Sequence, residues 1–260
     1  MAVGICTATL LTDPMGAAPD EIRAAAQAAV DAGFTEASVW AFQLDALADS
    51  PLHVNCIEAA TAWATGTPAE TASEAKQLAA TAERVGAERI LAVTMDPTLP
   101  DMGAARENLA VLVNAAETVG AHVCVEFLPW SAIPDLATAW AFVEPLGPSA
   151  QLLIDTWHWQ RQPGGPNLDL LARIPGERIS FVQLCDAGPV PGGDLLTEAM
   201  SARLLPGDGV VDFAALFDCL HTIGADPFLA TEVFNPGLVA HLGTGPAAAA
   251  MRDAGERVAT

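Results

Sequence analysis

Short apolar runs alternate with longer helical patterns along the chain, and this alternation limits the possible folds more than any other feature. Consecutive parallel strands need a crossover connection, so the pattern indicates a parallel sheet covered by helices. The predicted strands lie at 3–10, 36–42, 53–60, 89–94, 122–127, 151–155, 179–186 and 228–234. Eight such units with short connections predict an α/β fold, a single (β/α)8 TIM barrel domain over residues 1–260.

The third of these units is ambiguous. The run at 53–60 (HVNCIEAA) has the composition of a strand, but the overlapping run at 56–64 (CIEAATAWA) also fits a helix. The intervening segments are clearer, because acidic residues or proline open several of them and glycine closes them. Helices are predicted at 19–33, 68–86, 102–119, 133–147, 168–174, 212–224 and 245–260, with a short one near 44–48.

Composition narrows the chemistry. The chain has 260 residues, of which 52% are hydrophobic and 17% charged, and its formal charge of −21 disfavours binding to nucleic acid or anionic membranes. It contains no tyrosine, and its one lysine, Lys76, lies in a predicted helix on what we expect to be its solvated face. A lysine base, a Schiff base or a tyrosine acid is therefore not expected in the mechanism. We expect a small-molecule substrate, and a homo-oligomer is possible.

The N-terminal sequence MAVGICTATLL has neither the positive region nor the cleavage pattern of a signal peptide. No apolar run approaches membrane-spanning length, and the five cysteines form no C-x-x-C pair. The cysteines are expected to act as small buried apolar groups. These features predict a cytoplasmic protein.

Oxygen-bearing side chains close four successive apolar runs: Glu126, Asp155, Gln183 and Glu232 lie at the ends of predicted strands five to eight. The carboxyl ends of barrel strands meet at one face, where barrel enzymes carry their active sites. Each side chain, taken alone, could instead be a polar group that caps a loop. Together, three carboxylates and one amide oxygen predict a site for a hard divalent cation.

The pieces VEFLPW, LLIDTWHW, FVQLCDA and RLLPGDG…ATEVFNP resemble the xylose isomerase-like barrel superfamily, and the resemblance runs from about residue 3 to residue 235. That superfamily includes sugar epimerases, hydroxypyruvate isomerase, inosose dehydratase and 3-dehydroshikimate dehydratase. The resemblance implies that Glu126, Asp155, Gln183 and Glu232 are the metal ligands. Many relatives have histidine in place of Gln183, and glutamine is more similar to the hydroxypyruvate isomerase and dehydroshikimate dehydratase branches. An amide oxygen favours Mn²⁺ or Mg²⁺ over Zn²⁺, with Co²⁺ possible.

Two further residues are candidates for the reaction. His158, three residues beyond Asp155, could act directly as an acid or base, or could instead orient a ligand carboxylate. Arg203 begins RLLPGDG, and the resemblance places it at the substrate mouth, where it would bind a carboxylate or hydroxy-ketone oxygen. A surface salt bridge is the alternative for Arg203. Dehydroshikimate dehydratases usually have an R-H-x-R arrangement here, and this chain has MSAR.

Trp130, Trp157 and Trp159 flank the ligand strands and could form an apolar wall against the substrate, with Trp130 the preferred candidate. Packing between barrel and helices is the alternative. Asp186 could bind a substrate hydroxyl or position a loop. PGDG at 206–209 is expected to be a turn rather than a phosphate site.

The sequence therefore predicts a divalent-metal-dependent sugar (or sugar phosphate) isomerase or epimerase. Glu126 and Glu232 would each serve as ligand and proton carrier, with His158 as a third catalytic group, through a metal-stabilised enediolate. The alternative is a metal-dependent dehydratase of the 3-dehydroshikimate or inosose type, which shares the first proton abstraction. A third hypothesis is a non-catalytic barrel that works within a larger assembly.

Overall fold

Eight parallel strands close into one barrel in the computed structural model, which describes residues 3–259. Each strand pairs with the next along the chain, and β8 pairs with β1. The strands are β1 (Gly4–Cys6), β2 (Glu36–Trp40), β3 (His53–Ala60), β4 (Arg89–Ala92), β5 (His122–Glu126), β6 (Ala150–Asp155), β7 (Ile179–Leu184) and β8 (Phe228–Thr231). The predicted (β/α)8 barrel is confirmed.

The structure resolves the ambiguous third unit and shortens the first. Residues 53–60 form strand β3, so a helix over 56–64 is wrong, although a single turn of helix follows at Ala62–Thr65. The first strand ends at Cys6 and the chain continues as a 3-10 helix, Thr7–Leu10. The Thr9 hydroxyl donates to the Cys6 carbonyl at 2.8 Å, which stabilises this early turn.

Helices cover the outside of the barrel, and side chains of the sequence set their first turns. Asp101, Asp135 and Asp212 each accept a backbone N–H from the helix that follows, and Thr67 forms a capping box with Glu70. The α-helices are Pro19–Asp31, Ala62–Thr65, Pro68–Val85, Met102–Glu117, Leu136–Val143, Thr156–Arg161, Leu168–Leu171, Leu195–Ser201, Phe213–Thr222, Pro236–Leu242 and Thr244–Val258. The short helix expected near 44–48 is a 3-10 helix, Ala41–Leu47. Over residues 3–259, no helix is long and apolar enough to cross a membrane.

The barrel interior contains a separate apolar layer below the mouth. Its fully buried members include Cys56, Leu91, Cys124, Leu153, Phe181 and Ala230, one from each of six strands. Side chains alternate between the two faces of a strand, so the residue two positions further along also points inward, one layer closer to the mouth. This alternation determines which residues line the site.

Candidate metal and active site

All four predicted strand-end residues belong to the layer above this apolar core. Glu126 follows Cys124 by two positions, Asp155 follows Leu153, Gln183 follows Phe181 and Glu232 follows Ala230. Glu126 and Asp155 are the last residues of β5 and β6, Gln183 is the penultimate residue of β7, and Glu232 directly follows β8. All four are at most 8% exposed. The pleat of the strands therefore directs the four side chains into the barrel mouth.

Hydrogen bonds connect these side chains to each other and to Arg203. The Gln183 amide Nε2 donates to Glu232 Oε1 at 2.7 Å. Arg203 Nη1 lies 2.5 Å from Asp155 Oδ2 and 2.9 Å from Glu232 Oε2, so one guanidinium bridges two of the predicted ligands. Glu126, Asp155 and His158 offer ligand atoms within 4.8 Å of one another.

A fifth polar side chain, Glu58 at the mouth end of β3, belongs to the same layer and was missed by the sequence reasoning. Its carboxylate accepts the Ser38 hydroxyl, the Trp40 indole N–H at 3.0 Å and the Gln183 amide at 3.2 Å. The signal for it was present, because Glu58 follows Cys56 by two positions as Glu126 follows Cys124. Uncertainty about whether residues 53–60 form a strand concealed it.

The donor set fits a divalent cation on two observations. The oxygen Oε1 of Gln183 is buried and, within residues 3–259, accepts no hydrogen bond, which is costly for a buried polar atom unless a ligand binds it. The surrounding carboxyl groups of Glu58, Glu126, Asp155 and Glu232 face one guanidinium, so acidic groups are in excess. An unpaired amide oxygen among carboxylates is an oxygen-rich environment of the kind that Mg²⁺ and Mn²⁺ prefer.

The electrostatics of the site reflect this excess of acidic groups. Burial raises the pKa of Glu126 well above its usual range, and the neighbouring charges of Glu232 and Asp155 raise it further. Burial also raises the pKa of Glu232 well above its usual value, with a contribution from Glu58 and an opposing one from Arg203. Two of the predicted ligands therefore hold protons more tightly than free carboxyl groups do.

Asp155 differs from the two glutamates in the direction of its pKa shift. Burial alone would raise the pKa of Asp155, but the Arg203 charge and the backbone N–H of His158 outweigh burial and lower it. Burial likewise disfavours the charged form of Arg203, but Asp155 and the other acidic neighbours raise its pKa well above the usual value. Asp155 and Arg203 are therefore an ionised, buried pair.

His158 lies beside the ligands, in the first turn of the helix Thr156–Arg161. Its backbone N–H donates to Asp155 Oδ1 at 2.9 Å, and its Nε2 lies 3.4 Å from both Glu126 Oε1 and Arg203 Nη2. Burial lowers the pKa of His158 to about 3, against the opposing effect of Asp155 and with a smaller contribution from Arg203. The imidazole is therefore neutral near pH 7 and a weak base, which favours the alternative that it orients a ligand carboxylate over direct acid or base catalysis.

Arg203 lies deeper than the sequence suggested. It is 2% exposed, and its Nε donates to the Ala199 carbonyl at 2.7 Å, so the alternative of a surface salt bridge is wrong. Its main chain is held by Phe234 and Asn235, which follow β8. The guanidinium is thereby directed at Asp155 and Glu232, and its contact with a substrate stays a prediction.

The aromatic residues divide into two groups. Trp157 and Trp159 are at most 2% exposed, and the Trp157 indole donates to Glu198 at 3.3 Å, which favours packing roles. Trp130 is half-buried, its ring is 5.3 Å from that of His158, and its Nε1 is buried with no partner in the described part of the chain. Trp130 therefore keeps a free donor beside the site.

Asp186 is fully buried and its carboxylate accepts four backbone N–H groups. The donors are Ala187, Gly207, Gly209 and Val211, at 2.8 to 3.0 Å. These bonds fasten the 206–211 turn, and an antiparallel bridge between Asp186 and Leu204 holds the segment that carries Arg203. The geometry favours the loop-positioning alternative for Asp186 over a substrate contact.

Cysteines border the site without contributing a reactive thiolate. Cys6 Sγ lies 3.9 Å from Glu58, and Cys185 Sγ lies 3.6 Å from Asp155. Burial raises the pKa of both thiols well above the usual value, with further contributions from the acidic neighbours. Both are therefore buried, neutral groups at neutral pH, as the sequence predicted.

Comparison with known proteins agrees with the fold. A family described as xylose isomerase-like TIM barrel matches residues 2–257. The chain belongs to this family. Family members include epimerases, isomerases and dehydratases, so the xylose isomerase-like assignment places the chain in a superfamily of enzymes.

Two curated relatives of this xylose isomerase-like chain are described as 3-dehydroshikimate dehydratases. The protein of Pseudomonas putida is 29% identical and that of Pseudomonas aeruginosa 31% identical, each over 133 residues, or 50% of this chain. The match spans only about a fifth (20%) of the length of these relatives.

Solved structures share the fold. A structure described as IolI protein with a bound zinc atom has a TM-score of 0.82 at 18% identity and covers 100% of this chain and 98% of its own. A D-allulose 3-epimerase from Methylomonas sp. in complex with D-allulose has a TM-score of 0.71 at 17% identity, with coverage of 97% and 95%. At these identities the likeness establishes the barrel and nothing finer.

Proposed function

We propose that this chain is a divalent-metal-dependent isomerase or epimerase that moves a proton between adjacent carbons of a small polyhydroxy carbonyl compound. The observation that carries the proposal is the unpaired, buried Oε1 of Gln183 within a layer that also holds Glu126, Asp155 and Glu232. A buried amide oxygen has little structural reason to lie without a partner among carboxyl groups, and the four side chains together have the composition of a cation site.

Glu126, Asp155, Gln183 and Glu232 would hold the cation, for which Mn²⁺ or Mg²⁺ suits the oxygen donors and Co²⁺ is a possible substitute. When bound, such an ion polarises a substrate carbonyl and stabilises negative charge on the oxygens beside it. The protein side chains then have to deliver and remove the proton.

Glu126 and Glu232 are the proposed proton carriers. They come from the end of β5 and from just beyond β8, which are three strands apart in the closed barrel, so they approach the mouth from different sides. A substrate between them can lose a proton to one carboxylate and receive a proton from the other. His158 Nε2 lies 3.4 Å from Glu126 Oε1, so the neutral imidazole is placed to share a hydrogen bond with Glu126 and to hold this carboxyl group in position.

The substrate is proposed to be unphosphorylated. A phosphate requires surplus positive charge, and the guanidinium of Arg203 already faces Asp155 and Glu232. Arg161, which also lies over the Trp157 ring, forms its own buried pair with Glu198 at 2.7 Å. Trp130, with its free indole N–H, is the proposed contact for the ring or a hydroxyl of a sugar-like substrate.

A dehydratase is the second candidate, and the curated relatives favour it because both are described as 3-dehydroshikimate dehydratases. The first step would be the same proton abstraction beside a carbonyl. The two reactions diverge afterwards, since the dehydratase expels the β-hydroxyl group as water where the isomerase returns a proton.

Incubation of the Mn²⁺-loaded protein in D₂O with ketoses, inososes and 3-dehydroshikimate, followed by NMR, separates these reactions. Deuterium at a carbon beside the carbonyl supports isomerisation or epimerisation. A new alkene or aromatic signal with loss of water supports the dehydratase. If the protein binds no divalent cation and exchanges no substrate proton in any of these mixtures, the proposal is wrong.

A further inference from the structure

We infer that Glu58 is a positioning residue that fixes the rotation of the Gln183 amide, so that its oxygen rather than its nitrogen faces the cation site. The inference rests on the proposed metal-dependent function. It assigns a role to a side chain outside the predicted set of four ligands. The role is indirect, because Glu58 acts through Gln183.

The Gln183 amide has two ends of nearly equal shape, and only one of them can bind a cation. The carbonyl oxygen offers lone pairs, whereas the NH₂ group offers only hydrogens. Its Nε2 donates to Glu58 Oε1 at 3.2 Å and to Glu232 Oε1 at 2.7 Å, and Oε1 is left buried without a partner. In the opposite rotation the amide oxygen would face these same carboxyl oxygens, and both oxygens of Glu58 already accept hydrogen bonds from Ser38 and Trp40, so the observed rotation is favoured.

Of the two carboxylates, Glu58 is the one whose own position is fixed by neutral donors. Trp40 and Glu58 are direct neighbours in the β2–β3 register, and the Trp40 indole donates to Glu58 Oε2 at 3.0 Å. The Ser38 hydroxyl donates to Oε1, the oxygen that also accepts Gln183. Glu232, by contrast, is itself a predicted ligand and is bonded to Arg203. When a cation engages Glu232, the bond from Glu58 continues to hold the amide.

An alternative use of Glu58 is as a ligand in a second cation site. Cys6, Glu58 and Glu232 offer ligand atoms within 4.8 Å of one another. Both oxygens of Glu58 already accept hydrogen bonds, however, and the Cys6 thiol is buried and neutral. The positioning role uses the bonds that Glu58 makes, whereas the ligand role would break them.

Glu58→Gln is the direct test, because the substitution keeps the shape and adds one NH₂ group. That group can donate to Gln183 only if the Gln183 amide turns over, which would point its nitrogen at the cation. We expect the affinity for Mn²⁺, measured by calorimetry on the metal-free full-length protein, to fall by about 10- to 100-fold, the usual cost of losing an outer partner of a ligand. The Mn²⁺ electron paramagnetic resonance spectrum should change as well.

Asn55→Ala is the matched control. Asn55 is also buried on β3, but it lies near the opposite end and donates to Glu36 at 3.0 Å. Its substitution should lower the unfolding temperature without changing Mn²⁺ affinity. Trp40→Phe provides a second probe, since it removes one donor to Glu58 while both carboxylates stay, and it should weaken Mn²⁺ binding less than Glu58→Gln does.

A double-mutant cycle with Gln183→Glu distinguishes positioning from general damage. A carboxylate at position 183 presents an oxygen in either rotation, so it needs no partner to orient it. In that background Glu58→Gln should leave Mn²⁺ affinity within about threefold, whereas a purely structural role for Glu58 predicts the same loss in both backgrounds.

The outcomes are separable from those of the proposed function. If the wild type binds Mn²⁺ and the Glu58→Gln variant binds it with the same affinity, this inference alone is overturned. Equal losses in the two backgrounds of the cycle also overturn it, as does a stoichiometry of two ions that falls to one after Glu58→Gln. Wild-type protein that binds no divalent cation overturns the proposed function together with this inference.

Discussion

The two halves of the barrel mouth are built on the same strand alternation but use their carboxylates differently. On the β5–β8 side, Asp155 and Glu232 are bridged by the charged Arg203. On the β1–β4 side, Glu58 is held by the neutral donors Ser38, Trp40 and Gln183. A positive side chain can be replaced by another cation, whereas fixed neutral donors keep a carboxylate in place. In the proposed function the first half would bind the metal, and Glu58 in the second half would orient the Gln183 amide.

The largest expected effect is on turnover, and it should differ between substitutions at Glu232 and at Glu58. With saturating Mn²⁺, Glu232→Gln should lower turnover by about 10²- to 10⁴-fold, because an amide cannot carry the proton. Glu58→Gln should cost less than about tenfold once the site is saturated, because Glu58 is proposed to act through Gln183 and not on the proton. Steady-state kinetics on the substrate found by NMR measures both, and equal losses would contradict the division of roles.

Arg203→Met tests the β5–β8 side of the mouth, and the quantity measured is the unfolding free energy. Removal of the guanidinium leaves Asp155 and Glu232 buried without their cation, so the metal-free protein should lose about 3–5 kcal/mol of unfolding free energy. Mn²⁺ should restore part of this loss by supplying positive charge at the same carboxylates. Urea denaturation with and without Mn²⁺ gives both numbers.

Arg161→Met is the control for that experiment, since Arg161 forms a buried pair with Glu198 away from the predicted ligands. Arg161→Met should also lower the unfolding free energy. Adding Mn²⁺ should raise the unfolding free energy of this variant by no more than it raises that of the wild type. Equal rescue of both variants would show that the metal effect is not local to Arg203.

Asp186→Asn tests the support of the loop that carries Arg203. An amide can accept at one end only, so part of the set of four backbone N–H bonds is lost, at a cost of about 1.5–3 kcal/mol in unfolding free energy. Turnover should fall with stability, because the turn at 206–211, which follows the segment that carries Arg203, would lose part of its anchor. If the variant instead kept its stability and only raised KM, Asp186 would be a substrate contact as first considered.

Metal binding should depend on pH with a defined sign. Burial raises the pKa of Glu126 and of Glu232 above the ordinary value of 4.5, so in the metal-free fold these groups contribute stability at low pH that is lost as pH rises through the raised values. A cation displaces their protons, so Mn²⁺ binding should release protons and strengthen as pH rises. Calorimetric titration in two buffers of different ionisation enthalpy measures the release. Binding that is independent of pH would contradict it.

The barrel fold and four of the five polar residues at its mouth could be predicted from sequence, because the patterns that reveal them are local along the chain. The alternation of strands and helices gave the barrel, and the position of Glu126, Asp155, Gln183 and Glu232 at strand ends identified their common face. Glu58 follows the same rule, but CIEAATAWA is also compatible with a helix, and the choice was made by pairing of β3 with β2 and β4. Pairing between strands that are distant in sequence leaves no pattern within residues 53–64 themselves.

The features that the sequence did not predict are contacts between segments that are distant along the chain. The burial of Arg203 against two ligands depends on how residues 186 and 204 bridge, and the partners of Asp186 are backbone groups of a distant turn. Backbone donors are the same for every residue type, so no sequence pattern reveals them. The same limit applies to the rotation of the Gln183 amide, which is set by Glu58 and Glu232 from other strands.

The central claim is that the strand-end oxygens of β5–β8 bind one divalent cation, and its most direct test is Mn²⁺ titration of the metal-free protein by calorimetry. We predict one ion per chain for the wild type, with binding lost in Asp155→Asn, because that residue is the one predicted ligand whose pKa is lowered and which is therefore ionised before the metal arrives. Absence of binding to the wild type, or equal binding to Asp155→Asn, would contradict the account.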